Sequence, residues 1–200
     1  MSVELAGKFK AVCVFCGSSS GNHLEYVQAA EQVGKYLAEQ SMTLIYGGGQ
    51  LGLMGVVANA ALAAGGQVVG IIPDALAVAE VAHAGLSELI VVRTMHERKA
   101  KMAELCDAFL ALPGGFGTFE EFCEALTWSQ LDIHRKPCGL LNVRGYYDPL
   151  IRLFDHAVSE GFLKERYHKM AIVGTELEEL MYRMQISTVD IGEPVFKWLD

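Results

Sequence analysis

"DAFLALPGGFGTFEE", Asp107 to Glu121, runs an apolar stretch into a proline, three glycines, a threonine and two glutamates. "AFLAL" does not alternate, so as a strand it is buried on both faces, which is the habit of parallel sheets. The glycines form the turn. "TFEEFCEALTWSQLDIH", residues 118–134, then repeats apolar residues at helical spacing. A buried strand, a glycine turn and a helix make half of a βαβ unit.

The same alternation extends in both directions. Toward the N-terminus lie a strand at 10–19, a helix at 24–40, a strand at 42–49, a helix at 52–66 and a strand at 67–73. The first helix carries Tyr26, Ala30, Val33 and Leu37 on one face. "DALAVAEVAHAGLSE", 74–88, reads as a mobile loop or short helix before "LIVV" and the helix "TMHERKAKMAELC". Toward the C-terminus follow "KPCGLLNV", "YDPLIRLFDHAVSEGF", "MAIVG" and "TELEELMYRM". The fold class predicted is α/β: a doubly wound, mostly parallel, Rossmann-like sheet in three α/β/α layers. With no repeat or linker, residues 1–200 read as a single nucleotide-binding domain.

Composition narrows the function. Of 200 residues, 52% are apolar, enough for a real core. A net charge of −8 offers no basic footprint for nucleic acid and no polybasic patch for a membrane. No apolar run approaches the ~20 residues of a spanning helix, and no clear leader cleavage pattern appears. A cytoplasmic protein is expected. The five cysteines suit a reducing compartment. Cys13 and Cys16 spell C-x-x-C, but residues three apart on a strand face opposite sides, so two strand residues outweigh a redox or zinc pair.

Three glycine-rich stretches, "GSSSG", "GGGQLGLMG" and "PGGFGT", fall at the carboxyl ends of strands, where such sheets bind ligands. "PGGFGT" reads as an anion cradle: Gly114, Gly115 and Gly117 allow close backbone approach, and Thr118 adds a hydroxyl. The competing reading is a plain turn in which Thr118 caps the helix and Glu121 completes a capping box. Positive potential at the helix start favours ionised Glu120 and Glu121. Glu121 shares a helix face with Gly117 and Thr118 and is the candidate for chemistry; Glu120 reads as a solvated charge. Gly47, Gly49 and Gly52 spell G-x-G-x-x-G, a weak dinucleotide signal in the second βα unit. "MHERKAKM" gathers His96, Arg98, Lys99 and Lys101, either a solvated basic face or a phosphate or leaving-group contact. No spacing suggests a metal, and no cofactor is implied.

"PGGFGTFEE" and "MHERK" together resemble the paired signature of the LOG ("Lonely guy") family, and "VFCGSSSG", "LIYGGGQLGLMG", "IIPDAL", "LTWSQLDIHRKPCGLLN" and "GYYDPL" agree, over roughly 11–174. The resemblance implies a hydrolase that cleaves the N-glycosidic bond of cytokinin riboside 5′-monophosphates or AMP, releasing base and ribose 5-phosphate. It implies Arg98 and Glu121 as the catalytic pair. It implies Glu80, Arg98, Lys99, Gly115, Phe116, Gly117, Thr118, Glu121 and Thr127 as nucleotide contacts, and a homodimer. Relatives are often labelled lysine decarboxylases; no lysine here stands out as a pyridoxal phosphate anchor, and the chain is short for such an enzyme. The alternatives are a non-catalytic nucleotide or molybdenum-cofactor carrier on the same fold, and a dinucleotide-dependent enzyme using Gly47 to Gly52.

Overall fold

β-Branched and aliphatic residues dominate the strands, and their side chains alternate between two cores. In β1 (Ala11–Phe15), Val12 and Val14 enter one core while Cys13 and Phe15 enter the other. The computed structural model describes residues 9–77 and 82–187. Among these, seven strands form one parallel sheet. They are β1, β2 (Thr43–Tyr46), β3 (Val68–Pro73), β4 (Glu88–Val92), β5 (Ala108–Ala111), β6 (Cys138–Leu141) and β7 (Ala171–Gly174), in the order β4-β3-β2-β1-β5-β6-β7.

The helices divide between the faces. α1 (Leu24–Glu39), α2 (Gly52–Ala63) and α8 (Leu177–Ile186) cover the Val12 and Val14 face. The other is covered by α4 (Met95–Leu105), α5 (Phe116–Gln130) and α6 (Asp148–Ser159). Short α3 (Asp74–Ala77) and α7 (Glu165–His168) complete the series. Each face of the sheet is therefore dry, as the unalternating apolar runs require. Cys13 and Cys16 belong to opposite cores, so they form no C-x-x-C site.

Position in the sheet determines where a ligand can sit. β1 pairs with β2 on one side and with β5 on the other, so the chain reverses direction of growth at β1. A crevice opens outside the carboxyl ends of strands at such a reversal. The loops following β1, β2 and β5 are the three glycine-rich stretches.

Candidate active site

Two loops meet back to back at the reversal. The Gly17 N–H donates to the Pro113 carbonyl at 3.0 Å, and Leu53 N–H, at the start of α2, donates to the Gly17 carbonyl at 3.0 Å. Gly114 has no room for a side chain, since a Cβ there would lie 2.1 Å from Thr118 Oγ1 and 2.8 Å from Gly17 N, and one on Gly17 would fit tightly, 3.0 Å from the Ser19 carbonyl. Beside this junction is a cavity of about 270 Å³, lined by Ser18 to Ser20, Gly114, Gly115, Tyr26 and Tyr146. Of these, the sequence placed the "GSSSG" loop at the ligand edge and Tyr26 on a helix face; it gave Tyr146 no role beyond its place in "GYYDPL".

Gly115 and Gly117, by contrast, are not packed. A Cβ on either meets nothing within 4 Å, so their backbone borders open space. α5 begins at Phe116 with Gly115 as its N-cap and no side-chain cap. Its first amides have no intrahelical acceptor, as at any helix start. The capping box is therefore not formed: the cap lies three residues earlier than the Thr118 register assumed, and Thr118 is a buried residue inside the first turn. The same shift places Glu120 and Glu121 beyond the first turn, where the helix-start potential has largely decayed. Phe116 stands 92% exposed at the mouth of the cradle.

Glu121 is half-buried, one turn along α5 from Gly117. It borders a small recess with Phe15, Lys99 and Trp128. Its charge is felt inside the sheet: burial raises the Cys16 thiol well above its ordinary range, and Glu121 raises it further. Cys13 is raised by burial first, then by its hydrogen bond to Cys106, while Glu121 and Arg98 act on it in opposite directions.

Arg98 is 5% exposed, despite its charge. Its Nε donates to the Ile71 carbonyl at 3.1 Å and Nη2 to the Gly47 carbonyl at 2.9 Å, while Nη1 lies 3.8 Å from Met95 Sδ. Two fixed bonds orient the guanidinium across the ends of β2 and β3. Gly47 must be glycine here, because a Cβ would come within 2.0 Å of Nη2. Gly52, at φ +57, lies against the Ser18 backbone, where a Cβ would approach the carbonyl carbon to 2.3 Å. Gly47 and Gly52 thus face protein atoms: one makes room for the Arg98 guanidinium and the other for the Ser18 backbone.

Other predicted contacts lie apart. Lys99 donates to Glu124 at 2.9 Å and also to Glu120, joining α4 to α5. Burial alone would lower its ammonium pKa, but the two carboxylates outweigh it and the net shift is upward. Glu120 is thus ion-paired as well as exposed. Lys101 pairs with Glu104 at 2.9 Å and His96 is exposed. Thr127 lies nine residues beyond Thr118, about 13 Å along the helix. It donates to the Cys123 carbonyl at 2.7 Å and borders a separate groove with Phe154 and Tyr167. Glu80 lies outside the described residues. The segment following it is tied to the Gly47–Gly49 loop, with His83 N–H donating to the Gly48 carbonyl at 3.1 Å. No group of three or more potential metal ligands occurs among the described residues.

Comparison with known proteins shows the family. A family model described as "Possible lysine decarboxylase" matches residues 54–184. The cytokinin riboside 5′-monophosphate phosphoribohydrolase of Rhodococcoides fascians is 53% identical over 84% of this chain and 86% of its own. The Arabidopsis thaliana enzyme LOG2, of the same name, is 47% identical over 91% of this chain and 85% of its own. Among solved structures, the molybdenum cofactor carrier protein of Chlamydomonas reinhardtii has a TM-score of 0.64 at 20% identity, covering 86% of this chain and 92% of that one, a likeness of fold alone. The chain belongs to the LOG family, whose curated members are cytokinin riboside 5′-monophosphate phosphoribohydrolases.

Proposed function

We propose that this protein hydrolyses the N-glycosidic bond of purine riboside 5′-monophosphates, of the cytokinin type or AMP, to free base and ribose 5-phosphate. The observation that carries the reading is the open amide cradle at Gly115 to Thr118 with the half-buried Glu121 carboxylate one turn away. A 5′-phosphate held at the cradle positions the ribose between the end of β1 and α5. Cleavage leaves positive charge near C1′. Glu121 stabilises that charge and takes the proton of the attacking water. Arg98, held rigid by two backbone carbonyls, supplies the fixed positive charge opposite it.

The same reading makes the protein a cytoplasmic homodimer. Thr127 is too far along α5 to reach the cradle of its own chain, so a nucleotide contact from Thr127 requires a second copy. Lysine decarboxylation finds no support in the site: Lys99 is engaged by two carboxylates. A cofactor carrier would have no use for Glu121 as a base.

The test is chromatographic product analysis with AMP, an N6-modified riboside monophosphate and the matching ribosides. Free base is expected from the monophosphates, with kcat/KM about 100-fold higher than for the ribosides, as loss of several charge-assisted hydrogen bonds implies. Binding without base release would favour a carrier, and equal efficiency on riboside and monophosphate would remove the phosphate from the loop.

A further inference from the structure

A cradle for an anion must hide its own carbonyl oxygens, because each lone pair facing the ligand repels it. The loop Leu112 to Gly115 does this at every residue. The Leu112 carbonyl accepts from Tyr147 Oη at 2.6 Å, and the Pro113 carbonyl from Gly17 N–H at 3.0 Å. The Gly114 carbonyl accepts from Tyr146 Oη, and the Gly115 carbonyl from Phe119 N–H at 3.1 Å. Gly17, across the junction, has its carbonyl engaged by Leu53 and Met54. Two of these five acceptors are thus served by side chains, both from the adjacent pair in "GYYDPL".

That pair is itself held firmly. Arg144 at φ 57 and Gly145 at φ +71 turn the chain between β6 and α6, and Arg144 is ion-paired to Glu25 on α1. Asn142 accepts from the Tyr147 N–H at 2.7 Å and donates to Asp148 at 2.7 Å. Tyr147 is 1% exposed and anchors the strand end beneath the loop. Because Pro113 has no N–H, the Leu112–Pro113 peptide presents no donor to a ligand. Tyr146 instead lines the cavity, with its ring edge-on to Tyr26 at 5.9 Å and to Tyr147 at 5.1 Å. The planar trans peptide sets the Gly115 N–H opposite to the Gly114 carbonyl. Binding that carbonyl therefore also fixes the direction of the amide.

We propose that Tyr146 is a positioning residue for the phosphate subsite: its hydroxyl occupies the Gly114 carbonyl, so that the cradle presents donors and no acceptor to an anion. This rests on the phosphate reading of the loop given above. Tyr146→Phe keeps the ring contacts and removes one donor. The measurement is calorimetric binding of ribose 5-phosphate, together with the ratio of kcat/KM on AMP to that on adenosine. Tyr182→Phe, at an exposed position of α8, serves as control. In Tyr146→Phe, ribose 5-phosphate should bind about tenfold more weakly and the AMP-to-adenosine ratio should fall about tenfold, the scale of one hydrogen bond near a charge. A purely structural role would lower the thermal midpoint and leave the ratio unmoved. Unchanged affinity, or equal losses on AMP and adenosine, would overturn the proposal while leaving the hydrolase reading intact. If the unaltered protein does not bind ribose 5-phosphate, the phosphate subsite and this role fall together. Should Tyr146→Phe not fold, the Gly115 amide of the unaltered protein decides: its NMR shift should move when ribose 5-phosphate is added, and an unmoved Gly115 amide overturns the proposal.

Discussion

Glu121 shows how a residue with two possible roles is resolved by three residues of helix register. As a capping-box partner it would need only an acceptor atom, and glutamine would serve. With the cap at Gly115, that role is absent, and the charge is the property that matters. Glu121→Gln should therefore keep the fold, with a thermal midpoint within a few degrees, while turnover on AMP falls about 100-fold or more. Near-normal turnover in a folded variant would refute the catalytic assignment. Arg98 carries a different lesson. The sequence pointed to its charge; it could not show that two of its nitrogens bind backbone carbonyls at Gly47 and Ile71, because those bonds join residues 51 and 27 positions away. Lys99, adjacent in sequence, turns to α5 instead, so a single basic run divides into an oriented guanidinium and a helix-to-helix ion pair.

At the level of elements, the start of α5 separates glycines that pack from glycines that stay open. A Cβ on Gly114 would strike Thr118 and Gly17, whereas one on Gly115 meets nothing and its φ of −97° is open to any residue. Backbone conformation thus does not demand glycine there; only the closeness of a ligand does. Gly115→Val should fold with stability changed by less than about 1 kcal/mol, the range for surface changes. It should also lose the preference for AMP over adenosine, measured as the ratio of the two kcat/KM values. Retention of that preference would show that the phosphate does not approach Gly115. The elements themselves were largely legible, because buried strands and amphipathic helices have different periods. "LIYGGG" and "DAFLALPGG" could be placed at strand ends for that reason. Helix starts were not, since Gly-Phe-Gly-Thr allows a cap at Gly115 or at Thr118, and only packing against Gly17 selects the first.

At the level of the whole molecule, the order β4-β3-β2-β1-β5-β6-β7 brings loops distant in sequence to one edge, which periodicity alone could not specify. The tyrosines after β6 had no assigned role because only that order sets them beside Gly114 and the serines after β1. Global stability carries its own pH signature. His134, packed near Phe109, accepts from the Lys136 N–H at 3.2 Å. Burial, followed by the charge of Lys136, lowers its pKa from 6.5 to about 4. Between those values the unfolded chain binds a proton that the folded chain refuses, so stability is complete above pH 6.5 and declines as pH falls toward 4. After allowance for partial solvent screening the loss is about 1–2 kcal/mol. Thermal midpoints measured across this window should fall with pH, and His134→Phe should flatten that slope; an unchanged slope would place its origin elsewhere. The two cores have a further consequence in chemical labelling. Cys13, Cys16, Cys106 and Cys138 are buried, and Cys123 alone is partly accessible, with a thiol made sluggish by burial and by Glu120. A water-soluble alkylating reagent added to the native protein should thus mark one sulfur slowly and the other four only when the sheet parts from its helices, so the mass of the labelled chain becomes a clock for global opening.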